Sequence, residues 1–146
     1  MFFRSWYRRV LDDRILGQTA ESAVARSFDE INEFEAQQRD YGTLIVKLYF
    51  DVGAEVQERR LAERAKNPWV RAEPRELPVS VRDEAYARAL RDLRSHSDMR
   101  WSPWKVVDGN DERHAAMLAL TAIADAWAAA MPMELPQLIG KPNAAA

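Results

Sequence analysis

Residues 43–52 read TLIVKLYFDV, with Gly42 directly before them. The run is β-branched and aromatic and almost continuously apolar. Continuity, rather than strict alternation, predicts a strand buried on both faces, as in a parallel sheet covered by helices. A shorter run, Pro103–Val107 (PWKVV), predicts a second strand. Around these two segments the apolar spacing turns helical. Thr19 offers a helix N-cap, and Val24, Phe28, Ile31 and Phe34 follow at spacings of four, three and three until Asp40-Tyr41-Gly42 ends the helix. Gly53–Lys66 predicts a charged helix with Val56, Leu61 and Ala65 on its apolar side, and Asp83–Arg94 a helix with Tyr86, Leu90 and Leu93 together. Glu112–Met131 is Ala-rich and helical, carrying Leu118, Ala122, Ile123 and Ala126, and Asp108-Gly109-Asn110-Asp111 supplies the turn and cap before it.

Two strands with helical crossovers imply parallel pairing in an α/β sandwich. Two strands make a poor sheet by themselves, so further strands are expected beside them. Pro68, Pro74 and Pro78, set among charges, exclude a continuous helix over 67–80 and predict a loop or lid. The 146 residues amount to one domain at most. Residues 1–131 are expected to form its body, with a lid at about 60–95, and Pro132, Pro136 and Pro142 to leave 132–146 as a flexible tail.

Composition narrows the function. A net charge of −2 excludes a bulk nucleic-acid binder, whose domain would be strongly basic. The absence of cysteine excludes disulfides, thiolate nucleophiles and cysteine-ligated zinc. No apolar run is long enough to span a bilayer, and Met1–Val10 carries three arginines without a signal core, so a cytoplasmic protein with no membrane partner is expected. Generic catalytic motifs fail as well. The Gly-Lys pair Gly140-Lys141 has Leu135 where a phosphate-binding loop needs its first glycine, and no G-x-G-x-x-G or G-x-S-x-G occurs. His96 and His114 lack H-x-x-x-H spacing and are expected at the surface or at helix ends, leaving no metal site. The 17 arginines against 4 lysines would suit phosphate oxygens, but alanine is abundant too, and composition alone favours the codon bias of a GC-rich genome.

Four segments together resemble one family. Phe3-Arg4-Ser5-Trp6-Tyr7, followed by Arg9-Val10-Leu11, is similar to the Phe-Asp-Arg-Ser-Trp-Tyr…Arg-Val-Leu segment of the polyphosphate kinase 2 family. Asp29-Glu30-Ile31-Asn32-Glu33-Phe34-Glu35 resembles its Glu-Ile-Asn-x-Phe-Glu helix, which precedes a strand of the form Gly-Thr-x-x-x-Lys. Gln57-Glu58-Arg59-Arg60-Leu61, with Glu63-Arg64 and Asn67-Pro68, resembles the start of its lid. Pro103-Trp104-Lys105-Val106-Val107 and Asn110-Asp111-Glu112-Arg113, with Ala115, resemble its Pro-Trp-x-Val-Val-x-x-Asn-Asp-x-Arg-x-Ala segment. The matches fall in family order over residues 2 to about 128.

The resemblance implies a P-loop kinase-like three-layer sandwich with a helical lid, incomplete in this chain. It implies transfer of a terminal phosphoryl group between polyphosphate and a nucleoside mono- or diphosphate, with Mg2+. It points to Arg4 as a phosphate contact at a strand end, to Arg60 and Arg64 at the lid base, to Arg71 within the lid, and to Asn110 and Asp111 beside the nucleotide. Plainer roles stand beside these. Arg59, Arg60 and Arg64 could pair along their helix with Glu55, Glu58 and Glu63, Asn110 and Asp111 could cap a helix, and Trp6, Tyr7 and Trp104 could be core. Three departures shape the expectation. The family's first half, with its glycine-rich loop, would lie before Met1, Phe3 stands where the family carries a magnesium-serving acid, and Val70-Arg71-Ala72-Glu73 replaces a Lys-Arg-Trp-Lys lid core. The expected protein is a truncated or degenerate copy, inactive alone, that forms a homo-oligomer or joins a chain carrying the P-loop half. The alternative is a non-catalytic partner that binds polyphosphate or nucleotide or completes another subunit.

Overall fold

The computed structural model describes residues 5–67, 69 and 84–131. Phe3, Arg4, Arg71, residues 70–83 of the expected lid and the tail from 132 lie outside the described residues. The chain begins with a 3-10 helix, Trp6–Val10, and continues through α1 (Asp12–Ile15), α2 (Glu21–Asp40), β1 (Lys47–Asp51), α3 (Ala54–Ala65), α4 (Glu84–Ser97), β2 (Trp104–Asp108) and α5 (Glu112–Ala130).

The two strands pair in parallel, as their helical crossover requires, in a register running from Lys47 opposite Trp104 to Asp51 opposite Asp108. β1 is half the length of the apolar run that predicts it. Its partner is only five residues long, and among the described residues no strand lies beside 43–46. The Ile45 carbonyl is satisfied by the Ser102 hydroxyl instead, at 3.0 Å. Side-chain alternation puts Lys47 and Tyr49 on the face of Trp104 and Val106, and Leu48 and Phe50 on the face of Lys105 and Val107. The 3-10 helix, α2 and α4 cover the first face around Lys47, and α5 covers the second, where Val107 is buried and the Lys105 ammonium donates to the Ala122 carbonyl. Burial on both faces is nevertheless only partial. Phe50 on one face and Val106 on the other are half exposed, because no further strand or helix is present among the described residues to cover them.

α2 buries Val24, Ser27, Phe28, Ile31 and Glu35. The apolar spacing placed Phe34 in that stripe. Glu35 occupies it instead, and Phe34 lies at its rim with its ring edge-on to Trp6 at 5.0 Å. Thr19 is not the cap: Ala20 holds that position and no side chain caps the helix start. The far end follows the sequence closely. Gly42 has φ +87°, its N–H reaches the Arg39 carbonyl, and the Thr43 N–H reaches the Gln38 carbonyl. That is the paired bonding of a Schellman stop, which needs a residue comfortable at positive φ.

The core unites Tyr7, Val10, Val24, Phe28, Ile31 and Leu93, with Trp6, Leu11 and Trp104 packed around it. Tyr7 is therefore core, with Trp6 and Trp104 packed against it. α4 turns Ala89, Leu93 and Ser97 inward, one step around from the expected row, leaving Tyr86 and Leu90 half-buried. Arg14 ties α1 to α2 through Glu21 and to α4 through Asp92 at 2.8 Å. α3 has no fully buried residue; Val56 and Leu61 of its expected apolar side are half-buried and Ala65 is exposed.

Candidate functional site

In an open parallel sheet the crevice beyond the carboxyl ends of the strands is where ligands bind. Here that region is built from Asp51, the last residue of β1, with Val52-Gly53, and Asp108, the last residue of β2, with Gly109-Asn110-Asp111, and the two loops are tied together. The Gly109 N–H donates to the Asp51 carbonyl at 2.7 Å, extending the ladder one step past the strands. The Gly53 N–H donates to the Asn110 side-chain oxygen at 2.8 Å. Asn110 in turn donates from its backbone and its side-chain amide to Asp108 Oδ1, at 2.9 and 2.7 Å. Gly109 is required sterically: a Cβ there would lie 2.6 Å from Val52 Cγ2 and 3.1 Å from the Asp51 carbonyl oxygen.

Asp111 caps α5, its carboxylate accepting from the His114 N–H at 2.8 Å, as its position before an apolar helix suggests. Asn110 does not cap; it bridges the loops. Arg60 reaches from α3 to the same corner. Its guanidinium donates to the Asn110 carbonyl at 3.0 Å and pairs with Glu112 at 3.3 Å. Its partners thus lie on the strand-end loop and α5, not among the glutamates of its own helix. Arg64 sits one turn farther along α3, exposed, with an interaction of its own. The structure therefore brings Arg60, Asn110 and Asp111 together and sets Arg64 beyond them.

A second polar cluster lies under the other end of the sheet and was not read as a site from the sequence. Glu35 is fully buried. Its Oε1 accepts from Tyr7 Oη at 2.7 Å and Trp6 Nε1 at 3.0 Å, and its Oε2 accepts from Lys47 Nζ at 3.0 Å. The Lys47 ammonium also donates to the Ser97 carbonyl at 2.6 Å, and Trp104 Nε1 donates to Ser97 Oγ at 3.0 Å. Burial, and then the hydrogen bond to Glu35, push the Tyr7 hydroxyl far above its ordinary range, so it remains a donor. The signal was present in the quoted motifs, in the last Glu of the helix and the Lys of Gly-Thr-x-x-x-Lys. Nothing local joins the two. Its polar groups are buried and satisfy one another, and it fixes the segment that follows Arg4 against α2, β1 and α4. His96 and His114 are exposed at helix ends, and His96 stacks on Phe28 at 5.0 Å. Among the described residues no group of three carboxylate or histidine side chains could hold a metal ion.

Parallel strands between helical layers, with cross-tied loops at their carboxyl ends, define an open α/β domain whose crevice lies beyond those strand ends. The comparisons name the family. Polyphosphate kinase 2 matches residues 1–134, and the chain belongs to that family. It is 37% identical over 132 residues to a polyphosphate:AMP phosphotransferase of Pseudomonas aeruginosa, covering 89% of this chain and 27% of that protein. It is 33% identical over 120 residues to the ADP-polyphosphate phosphotransferase 2 of Rhizobium meliloti, covering 80% and 39%. A crystal structure of a polyphosphate kinase 2 from Pseudomonas aeruginosa superposes with a TM-score of 0.79 at 34% identity, covering 90% of this chain and 28% of that one. The P-loop kinase-like fold expected from the resemblance is thus the fold of its neighbours. The chain spans between about a quarter and two fifths of the length of these relatives. No helix among the described residues is long and apolar enough to cross a membrane.

Proposed function

We propose that the chain supplies the C-terminal part of a site that transfers a phosphoryl group between polyphosphate and a nucleoside mono- or diphosphate. The observation that carries this reading is Arg60, which links the base of α3 to the loop after β2 through the Asn110 carbonyl and Glu112. Phosphoryl transfer is chiefly a matter of positioning and of neutralising charge. In this reading Arg4, Arg60, Arg64 and Arg71 hold polyphosphate oxygens, residues at about 60–95 act as a lid, and Asn110 and Asp111 border the nucleotide. The cross-tied loops give the nucleotide a floor that does not shift when the lid helix does.

Magnesium chemistry is expected of the reaction, because the ion neutralises phosphate oxygens. The described residues do not make a magnesium site by themselves, and Phe3 offers no oxygen where an acid is expected. No step is therefore assigned to a metal held by these residues. The phosphate-binding loop motif is likewise absent from the 146 residues. Phe50 and Val106, half exposed on opposite faces of the two-stranded sheet, favour completion by a P-loop-bearing half, and this feature would equally suit a non-catalytic, subunit-completing role.

The test is nucleoside triphosphate formation from polyphosphate with ADP or AMP and Mg2+. The 146-residue chain alone should be silent. Addition of a P-loop-bearing half of a family member should give activity, reduced at least tenfold by Arg60→Ala. Robust magnesium-dependent activity of the chain alone would overturn its incompleteness. Polyphosphate binding with no turnover in the completed assembly would favour the non-catalytic role.

A further inference from the structure

Arg60 is the cation on which the phosphate reading turns, and one edge of its guanidinium is already engaged. Nη2 donates to the Asn110 carbonyl at 3.0 Å, and Nε lies 3.3 Å from Glu112 Oε1. The two partners contribute different things. Asn110 is fixed in place, because its side chain is bonded to Gly53 and to Asp108. Its carbonyl therefore orients the guanidinium, and it brings no net charge to neutralise it. Glu112 does the reverse. It brings a full negative charge on a side chain that is 78% exposed, against 27% for Arg60, so little of the protein packs around the carboxylate to hold it.

Glu112 has no other task in the described fold. It is the first residue of α5, but the cap is Asp111, whose carboxylate accepts from the His114 N–H. Among the described residues the Glu112 side chain makes no hydrogen bond or ion pair besides the one with Arg60. The first turn of a helix favours a charged carboxylate, so the anion is at ease there whether or not it touches Arg60. Exposed ion pairs are weak and are screened by salt, so the contact opens easily.

We infer that Glu112 is an internal competitor for phosphate at Arg60: its carboxylate stands on the guanidinium in the free protein and is displaced when a phosphate oxygen binds. The inference rests on the phosphate role proposed for Arg60. A guanidinium meets carboxylate and phosphate through the same fork of N–H donors, so the two anions exclude each other on one edge. Displacement requires no backbone movement. Glu112 turns into water while the Asn110 carbonyl keeps Arg60 aimed at the crevice. The displaced carboxylate stays tethered nearby and repels the anion that replaced it. Arg60 is thereby detuned, binding phosphate less tightly than an unopposed arginine and releasing it sooner, since differences of this kind fall mostly on dissociation.

Calorimetric titration of the 146-residue chain with sodium tripolyphosphate reads the competition, at low ionic strength so that screening does not mask the pair. Glu112→Gln should bind at least about threefold more tightly than the native chain. Its thermal unfolding midpoint should be unchanged, because Asp111 still caps α5. In an Arg60→Ala background the gain should shrink to within about 1.5-fold, there being no cation left to compete for. Weaker binding by Glu112→Gln would make Glu112 an orienting partner of Arg60 and overturn the inference. An equal gain without Arg60 would overturn it too. Binding that needs Arg60 but is indifferent to Glu112→Gln would overturn the inference and leave the phosphate role of Arg60 standing. Binding undiminished by Arg60→Ala, or absent from both the native chain and Glu112→Gln, would remove that role and the inference with it.

Discussion

Replacing Lys47 with Met preserves the apolar stem and deletes the ammonium from the interior. Glu35 would remain wholly buried, with Tyr7 and Trp6 still donating to Oε1 and nothing to Oε2, and the Ser97 carbonyl would lose its 2.6 Å donor. Breaking a buried ion pair from one side costs about 3–5 kcal/mol, because the remaining charge is left uncompensated. The two surviving donors hold the cost near the lower bound, at about 3 kcal/mol. With a urea m-value of about 2 kcal/mol per molar, the unfolding midpoint should fall by about 1.5 M. Tryptophan fluorescence is the natural probe, since Trp6 and Trp104 both adjoin the cluster, and far-UV circular dichroism should give a coincident transition. Glu35→Gln keeps an acceptor for Tyr7 and Trp6 and removes the charge. Combined with Lys47→Met it should cost less than the sum of the single changes by about 1–3 kcal/mol. A midpoint shift under about 0.3 M for Lys47→Met, set against that m-value, would refute the assigned strength of the pair. Strict additivity in the double variant would refute its coupling.

Gly109→Ala should destabilise by about 1–3 kcal/mol through overpacking against Val52 and the Asp51 carbonyl, and Val52→Ala should recover part of the loss in thermal unfolding. Full stability of Gly109→Ala would mean that the loops are not held as closely as described. Asp111→Ala should cost about 1 kcal/mol and Asp111→Ser much less, because serine can still accept from the His114 N–H; equal losses would remove the capping role. Tyr7 provides a pH test. Its proton is held more tightly folded than unfolded, so its contribution is intact below its ordinary value of 10.0 and is lost as the pH rises beyond it. The stability gap between the native chain and Tyr7→Phe should therefore narrow between pH 9 and about 11, whereas a gap constant with pH would contradict the burial assigned to the hydroxyl.

The parallel pair and its helices were legible because apolar runs and stop signals are local. Gly42 is the clearest case: a glycine after a charged helix and before a β-branched run reads as a stop, and its positive φ shows why. Phe34 and Glu35 show where locality fails. Spacing favours the phenylalanine as the inward residue, but a carboxylate is stable there once Lys47, Tyr7 and Trp6 converge on it, and that convergence joins segments 12, 28 and 29 residues apart. Strand length failed for a related reason, since residues 43–46 have strand composition but no strand to bond among the described residues. At the site, Asp111 was readable as a cap from its own neighbours. Arg60 was not readable as a cross-link, because its partners Asn110 and Glu112 are some fifty residues away and nearer glutamates offered a simpler pairing.

The helices that border residues 66–83 are secured to the body in unequal ways. α4 is gripped along its length, with Ala89, Leu93 and Ser97 inside and Asp92 bridged to Arg14. α3 has no fully buried residue and is fastened near its root, by Gly53 to Asn110, Gln57 to the Val52 carbonyl and Arg60 to the Asn110 carbonyl and Glu112. Mechanically, α3 is a cantilever and α4 a beam clamped throughout. Thermal energy will bend the first far more than the second, so amide hydrogen exchange will run fastest at the outer turns of α3 and slow toward Gly53. The outer turns of α3, Arg64 among them, bend about a pivot that is also the floor of the crevice, and a ligand seated there would feel the bending at its fulcrum.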